Sequence, residues 1–157
     1  MKYLLCYDGS IGSTRSLMFM TAHANTGDQI VLFGAYQPIH ADVHMFVPPK
    51  DEWVAAEHER RRKICQYRLD TAAKQLADAG FSAVSQICVE AANVRDAVSK
   101  AIAEQQPFAV VLGSNGWAGL LRKSGVSAAL GSLASYLSAN APCAVIIARE
   151  HSIVHQL

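Results

Sequence analysis

The chain has 157 residues, which suits one domain, and 51% of them are hydrophobic. Its formal net charge is +1, which excludes a strong bulk attraction to nucleic acid or to membrane surfaces. No apolar run approaches the ~20 residues that cross a bilayer. Because a predicted strand already begins at residue 2, no room remains for a signal peptide, and we expect a cytoplasmic protein.

Strands and helices alternate along the sequence. Apolar runs predict the strands, and apolar positions repeating every three or four residues predict the helices. In chain order the predicted elements are a strand over 2–8, a helix over 13–24, a strand over 29–36, a helix over 51–79, a strand over 82–89, a helix over 94–104, a strand over 109–113, a helix near 127–139 and a strand over 143–149. This order predicts one α/β domain over residues 1–157, with an open parallel five-stranded sheet and helices on both faces.

The spacing of apolar residues also predicts which helix faces are buried. The predicted inward positions are Leu17, Met20 and Thr21 in the first helix, Cys65, Leu69, Ala72 and Leu76 in the second, and Val94, Ala97, Val98 and Ala101 in the third. The charged run at 57–63 predicts a solvated face with the ion pairs Glu57–Arg61 and Glu59–Lys63.

A glycine-rich loop follows the fourth predicted strand. The apolar residues 110–112 lead into Gly113-Ser-Asn-Gly116, and Gly131-Ser132 opens the next helix. Glycines at the carboxyl end of a parallel strand let the backbone approach a ligand, and a helix N-terminus attracts phosphate. The same glycines also occur for turn geometry alone, so the loop predicts either an anion site or a plain turn.

The first strand ends in Asp8-Gly9-Ser10, directly before a helix. Ligands of open parallel sheets lie outside the carboxyl ends of the strands. Asp8 is therefore placed to accept hydrogen bonds from a sugar hydroxyl or an amine. The alternative is that Asp8 or Ser10 only caps the first helix.

Three segments resemble the universal stress protein family: YLLCYDGS at 3–10, VVLGSNG at 110–116 and GSLASYLSANAPCAVIIAR at 131–149. The resemblance covers nearly the whole chain and implies a fold of the adenine-nucleotide alpha hydrolase type. It implies a small cytoplasmic stress-response regulator that binds ATP or AMP, with magnesium left open. The implied nucleotide-binding residues are Asp8, Gly9, Ser10, Ala35, Leu112, Gly113, Gly116, Gly131, Ser132 and Leu133.

The sequence departs from the family's nucleotide-binding pattern, which is Gly, two residues, Gly, nine residues, then Gly and Ser or Thr. Gly113 and Gly116 match it, but fourteen residues separate Gly116 from Gly131. Further departures are Ala134, where the family often has a small hydroxyl residue, and Phe108, where an Asp usually opens the fourth strand. A second hypothesis is therefore a dimeric interaction module of the same family that does not bind nucleotide.

A third hypothesis is an enzyme that cleaves the nucleotide. Phosphoryl transfer usually needs carboxylates that hold a metal and a base that positions the nucleophile. The glycine loop contains Arg122 and Lys123 but no acidic residue, and Asp8 is the carboxylate that we place at the strand ends. Any ATP hydrolysis should therefore be slow.

The last predicted strand, 143–149, is apolar on both faces and so needs to be covered. Family members pair this strand with its copy in a second subunit, which implies a homodimer; the alternative is an internal strand in a monomer. We expect neither nucleic acid nor a membrane as a partner.

The four cysteines, Cys6, Cys65, Cys88 and Cys143, form no CxxC pair. Their apolar surroundings predict reduced, buried thiols. His40 and His44 have the spacing of a metal-binding pair only if they lie on a helix, and no third ligand accompanies them, so no metal site is predicted.

Overall fold

The computed structural model describes residues 1–39, 50–114 and 131–149. The strands in these ranges are β1 (Lys2–Cys6), β2 (Gln29–Tyr36), β3 (Ala83–Glu90), β4 (Ala109–Gly113) and β5 (Ala144–Ala148). The helices are α1 (Ile11–His23), α2 (Asp51–Asp78), α3 (Val94–Gln105) and α4 (Ser132–Asn140). The predicted β2 and β4 agree with these bounds residue for residue.

The five strands form one parallel sheet in the order β3-β2-β1-β4-β5. The first strand is central, and the chain adds β2 and β3 on one side before crossing to β4 and β5 on the other. The predicted open parallel sheet with helices on both faces is thus confirmed. β3 and β5 are its two edges within the chain.

Two hydrophobic clusters cover the two faces of the sheet. The α1–α2 cluster contains Leu17 and Met20 of α1 and the buried residues of α2. These side chains pack on Leu5, Leu32 and Val111 of the sheet. The α3–α4 cluster contains Val98 and Ile102 of α3 and Leu137 of α4, packed on Leu4, Val31 and Val110. Adjacent residues of one strand therefore enter different clusters, as the alternation of side chains along a strand requires.

Three predictions about the first βα unit are wrong in detail. β1 ends at Cys6 instead of residue 8, and α1 begins at Ile11, two residues before the predicted start. Thr21 is exposed and its hydroxyl donates to the Met18 carbonyl, whereas Ser13 and Ser16 are buried. Small serines face the sheet where the helix passes close to it, and an apolar pattern does not detect them.

The long helix α2 confirms its predicted core. Cys65, Leu69, Ala72 and Leu76 are its buried residues. On the solvated face Glu57 pairs with Arg61 at 3.1 Å and Glu59 with Lys63 at 3.7 Å, as predicted. Hydrogen bonds from neighbouring arginines lower the pKa of Glu57 and Glu59 to about 2. None of the helices described is both long and apolar enough to cross a membrane.

The third helix meets its prediction in part. Val98 and Ala101 are buried, whereas Val94 and Ala97 are only partly buried against the α3–α4 cluster. Ile102, which was not among the predicted positions, completes the buried stripe.

Candidate functional site

The topology places a crevice at the carboxyl ends of β1 and β4. These strands are neighbours, yet α1 leaves β1 toward one face of the sheet and α4 follows β4 on the other. Such a switch point is where open α/β sheets bind ligands. The turn after β1 lies at this edge, and so do Ser114 and Gly131, the described residues that flank the segment after β4.

The turn after β1 is held by its own side chains. One carboxylate oxygen of Asp8 accepts from the Ser10 backbone N–H at 2.9 Å, and Gly9 has a φ of +77°, which favours glycine. Ser10 is the N-cap of α1, and its Oγ accepts from the Ser13 N–H at 3.2 Å. Ser10 is also 1% exposed. Ser10 therefore caps α1, and Asp8 stabilises the turn that leads to the cap.

The Asp8 carboxylate has about four lone-pair positions, and the Ser10 N–H uses one of them. Its charge acts on the strand below: burial, and then the Asp8 charge, raise the pKa of the Cys6 thiol to about 12. Cys6 is therefore a neutral thiol beneath the turn, in agreement with the predicted reduced and buried state.

A cation from α2 reaches the same turn. The Arg68 side chain lies over Gly9, with its Cδ 3.1 Å and its Nε 3.2 Å from the position that a Gly9 Cβ would take. Sequence reasoning missed Arg68, because it lies in a helix sixty residues away and only the packing of α2 against the turn brings it there. The sequence signal that could have identified Arg68 is its position three residues after the buried Cys65, which places both residues on the same side of α2.

Gly113 ends β4 against the backbone of α1. A Cβ at this position would lie 2.4 Å from the carbonyl carbon and 2.6 Å from the Cα of Gly12. Real Cβ atoms do not approach backbone so closely, so only glycine fits. The backbone that approaches Gly113 most closely is thus that of α1.

Among the described residues, the start of α4 has no side-chain cap like the one that Ser10 gives α1. Gly131 is its N-cap, with φ −58° and ψ 161°, and makes no side-chain capping bond. The Gly131 N–H donates to the Ser114 carbonyl at 2.7 Å, and the Ser114 N–H donates to the Ala148 carbonyl at 3.0 Å. Since the first-turn amides of a helix have no acceptor within it, those of Ser132, Leu133 and Ala134 face outward along the helix axis.

The other predicted site residues occupy different environments. Ala35 lies one residue before the end of β2, and Leu112 is buried in the α3–α4 cluster, where Leu133 is partly buried. Ser132 is exposed. Gly116 lies outside the described residues, as do Arg122 and Lys123.

A second concavity lies at the same edge of the sheet, beyond the ends of β2 and β3. Its volume is about 430 Å³, and its walls include Asp51, His58, Glu59 and Glu90. His58 Nε2 lies 2.5 Å from a Glu90 carboxylate oxygen, and the His58 ring packs edge-on against Tyr36. Its three carboxyl groups repel phosphate, so this concavity is unsuited to an anionic ligand.

Metal binding finds no support in the part of the chain that the structure covers, where no group of three or more His, Cys, Asp or Glu side chains converges. His40 and His44 fall outside that part. The four cysteines are all free, with Cys6 and Cys65 buried and Cys88 and Cys143 only half-buried, so the prediction of burial is wrong for the latter two.

Comparison with solved structures reproduces the fold. The chain is 16% identical to hypothetical protein MJ0577, with a TM-score of 0.76 and 96% of both chains covered. It is 11% identical to a universal stress protein family protein from Arabidopsis thaliana with AMP bound (TM-score 0.66; 97% of this chain and 93% of that one). It is 18% identical to the universal stress protein from Archaeoglobus fulgidus in complex with dAMP (TM-score 0.57; 94% and 96%).

At these identities the structural matches show the fold alone, and no curated protein matches the chain. The family model supplies the stronger statement. The model of the universal stress protein family matches residues 1–149, which is nearly the whole sequence and includes the turn after β1, the end of β4 and all of β5. The chain belongs to the universal stress protein family.

Proposed function

We propose that this protein is a small stress-response regulator that binds an adenine nucleotide, ATP or AMP, in the crevice between β1 and β4. The observation that carries the proposal is the start of α4, where outward-facing amides follow a glycine N-cap at the switch point of the sheet. A helix N-terminus of this kind attracts phosphate through its amides and its dipole.

Each wall of the crevice has a part in the proposed complex. Asp8 accepts a hydrogen bond from the ribose or the base, Ala35 borders the base, and the amides of Ser132 and Leu133 donate to phosphate. The Arg68 cation over Gly9 adds positive charge to the same edge. Two structures of the same fold, whose names record bound AMP and dAMP, support an adenine nucleotide as the ligand class.

The test is calorimetric titration of the purified protein with ATP, ADP and AMP, each with and without magnesium. We expect saturable binding that Gly131→Val abolishes, because a β-branched side chain fills the phosphate position. Gly27→Val is the matched control, since a Cβ at Gly27 meets no atom within 4 Å. Absence of heat and of a thermal shift at millimolar nucleotide would favour an interaction module that binds no nucleotide.

We further propose that this nucleotide acts as a bound regulator and is at most slowly hydrolysed. The described rim of the crevice has one carboxylate, Asp8, and that group already accepts from the Ser10 N–H. Phosphoryl transfer needs a positioned base and metal ligands. Release of phosphate from bound ATP at a turnover typical of enzymes would contradict this view.

We also propose a cytoplasmic homodimer formed through β5. Among the described residues β5 pairs only with β4, so it is an edge strand of the described sheet. Ile146 packs in the α1–α2 cluster, and Val145 and Ile147 pack in the α3–α4 cluster. All five residues of β5 are exposed or half-buried. An apolar edge of this kind is stabilised by pairing with its copy about a two-fold axis.

The direction of the backbone groups sharpens the test of the dimer. The Ala148 carbonyl accepts from the N–H of Ser114, the residue that follows β4. Since alternate residues of a strand direct their N–H and C=O to opposite sides, Ile146 also faces β4, whereas Val145 and Ile147 face the open edge. Ile147→Pro therefore removes a donor of the proposed interface and leaves the β4–β5 ladder intact.

We expect the wild-type protein to sediment with a mass of about 34 kDa, twice the 16.9 kDa of the chain. Ile147→Pro should sediment as a folded monomer. Ile147→Ala, which keeps the backbone donor, should remain a dimer. A monodisperse wild-type monomer at micromolar concentration would contradict the proposal.

A further inference from the structure

Two cysteines that are far apart in the sequence meet beneath α2. Cys88 of β3 pairs with Gly34 of β2 in the parallel ladder. A Cβ at Gly34 would lie 2.9 Å from the Sγ of Cys65. The Cys65 sulfur thus occupies the space that a Gly34 side chain would fill. Neighbouring strands are about 4.8 Å apart, so this space borders the Cys88 side chain.

The surroundings of the two thiols differ. Cys65 is 7% exposed and belongs to the α1–α2 cluster, whereas Cys88 is half-buried at the edge strand and packs against that cluster. Burial first, and then the neighbouring Cys88 thiol, raise the pKa of Cys65 to about 12. Cys65 is therefore a protonated thiol near neutral pH, and Cys88 is the sulfur that a solute reaches first.

The other two cysteines have no comparable partner. Cys6 and Cys143 both lie in the α3–α4 cluster, on the opposite face of the sheet from Cys65. Cys6 belongs to β1 and Cys143 directly precedes β5, and β4 lies between these two strands. Cys65 and Cys88 share the α1–α2 face and lie beside the same residue, Gly34.

We propose that Cys65 and Cys88 form a dithiol modification site that closes to an intramolecular disulfide when a hydroperoxide reaches Cys88. The Cys88 thiolate attacks the peroxide, an S–O bond forms, the O–O bond breaks, and the alkoxide leaves with the proton from Cys88. The Cys65 sulfur then attacks the sulfenic sulfur, the S–S bond forms, and hydroxide leaves with the proton from Cys65. Two thiols and one hydroperoxide give a disulfide, an alcohol and water.

The experiment uses the full chain with all four cysteines. Reduced protein is treated with stoichiometric hydrogen peroxide, unfolded, alkylated and digested without reductant. We expect a peptide pair joined through Cys65 and Cys88 that has lost two hydrogen atoms, with Cys6 and Cys143 alkylated and the link reversed by dithiothreitol. Because Cys65 must lose its proton before it attacks, the rate of closure should rise with pH.

Two variants and a second reagent keep this test independent of folding. Cys88→Ser should abolish the link, whereas Cys143→Ser, the matched change at the other half-buried thiol, should keep it. Phenylarsine oxide, which bridges two nearby thiols, should bind the reduced wild-type protein and the Cys143→Ser variant but not Cys88→Ser. The proposal is overturned if Cys88 oxidises to sulfinic acid while Cys65 stays free, if disulfides form only between chains, or if phenylarsine oxide does not bind the wild-type protein.

Discussion

The starts of α1 and α4 lie at the same edge of the sheet, after neighbouring strands, yet they are completed differently. At α1 the Ser10 hydroxyl accepts from the Ser13 N–H, and Asp8 accepts from the Ser10 N–H. At α4 the N-cap is Gly131, which makes no side-chain bond. The first terminus is closed by the protein's own oxygen atoms, whereas no described side chain caps the second. Two helices that begin at one edge of a sheet can therefore differ in whether their N-cap side chain occupies the first-turn amides.

The largest effect on stability should come from a change at Gly113, which ends β4 against the start of α1. Gly113→Ala places a Cβ against the Gly12 backbone, so β4 and α1 must separate. We expect the free energy of unfolding to fall by about 3 kcal/mol, as for severe overpacking. Urea denaturation measures it. Gly27→Ala, in open space, should change stability by less than about 1 kcal/mol. If both variants lose the same free energy of unfolding, the close contact between Gly113 and Gly12 does not explain the loss.

Variants at Asp8 test whether the turn before α1 also takes part in nucleotide binding. Asp8→Ala should weaken nucleotide binding by about 1.5–3 kcal/mol, the range for a hydrogen bond to a charged group. Asp8→Asn keeps an oxygen for the Ser10 N–H and removes only the charge. Calorimetric titration of both variants separates these parts. If Asp8→Ala lowers stability and leaves affinity unchanged, Asp8 belongs to the turn alone.

Ser10 should affect stability more than affinity. Ser10→Ala removes the acceptor of the Ser13 N–H in a buried setting, and we expect a loss of about 0.5–2 kcal/mol in the free energy of unfolding. Ser10→Thr retains the hydroxyl and serves as the control in the same urea titrations. A loss of nucleotide binding by the folded Ser10→Ala protein would place Ser10 in the binding site after all.

The smallest change in stability has the opposite sign. Gly131→Asp supplies α4 with the capping oxygen that it lacks, and the backbone at φ −58° admits any residue. We expect a gain of a few tenths of a kcal/mol, since glycine is already an acceptable cap. The same carboxylate should repel phosphate and weaken AMP binding. Unchanged affinity would show that the phosphate does not lie at this terminus.

The sequence predicted the fold well because burial repeats with the period of each element. The stripe of Cys65, Leu69, Ala72 and Leu76 is the buried set of α2, and β2 and β4 have their predicted bounds. The prediction was wrong at Thr21, where a helix that begins earlier and packs through Ser13 and Ser16 has no apolar signal on its closest face.

The candidate site was less predictable, because its decisive contacts join distant parts of the chain. Arg68 over Gly9, Gly113 against Gly12, and Cys65 beside Cys88 each depend on how an α-helix packs on the sheet. Local patterns place Asp8, Gly113 and Gly131 at the ends of their elements. They do not distinguish a glycine required by a neighbouring helix from one that leaves room for a ligand.

The hydrogen bond between Gly131 and Ser114 bears on how this family tolerates changes in length. It joins the two ends of the segment 115–130 directly, so the number of residues between them need not alter β4 or α4. Closing sixteen residues instead of the eleven of the family pattern costs only about 0.3 kcal/mol of chain entropy. This position is accordingly a natural insertion point, where a peptide tag or a small reporter domain could be grafted while the sheet keeps its register.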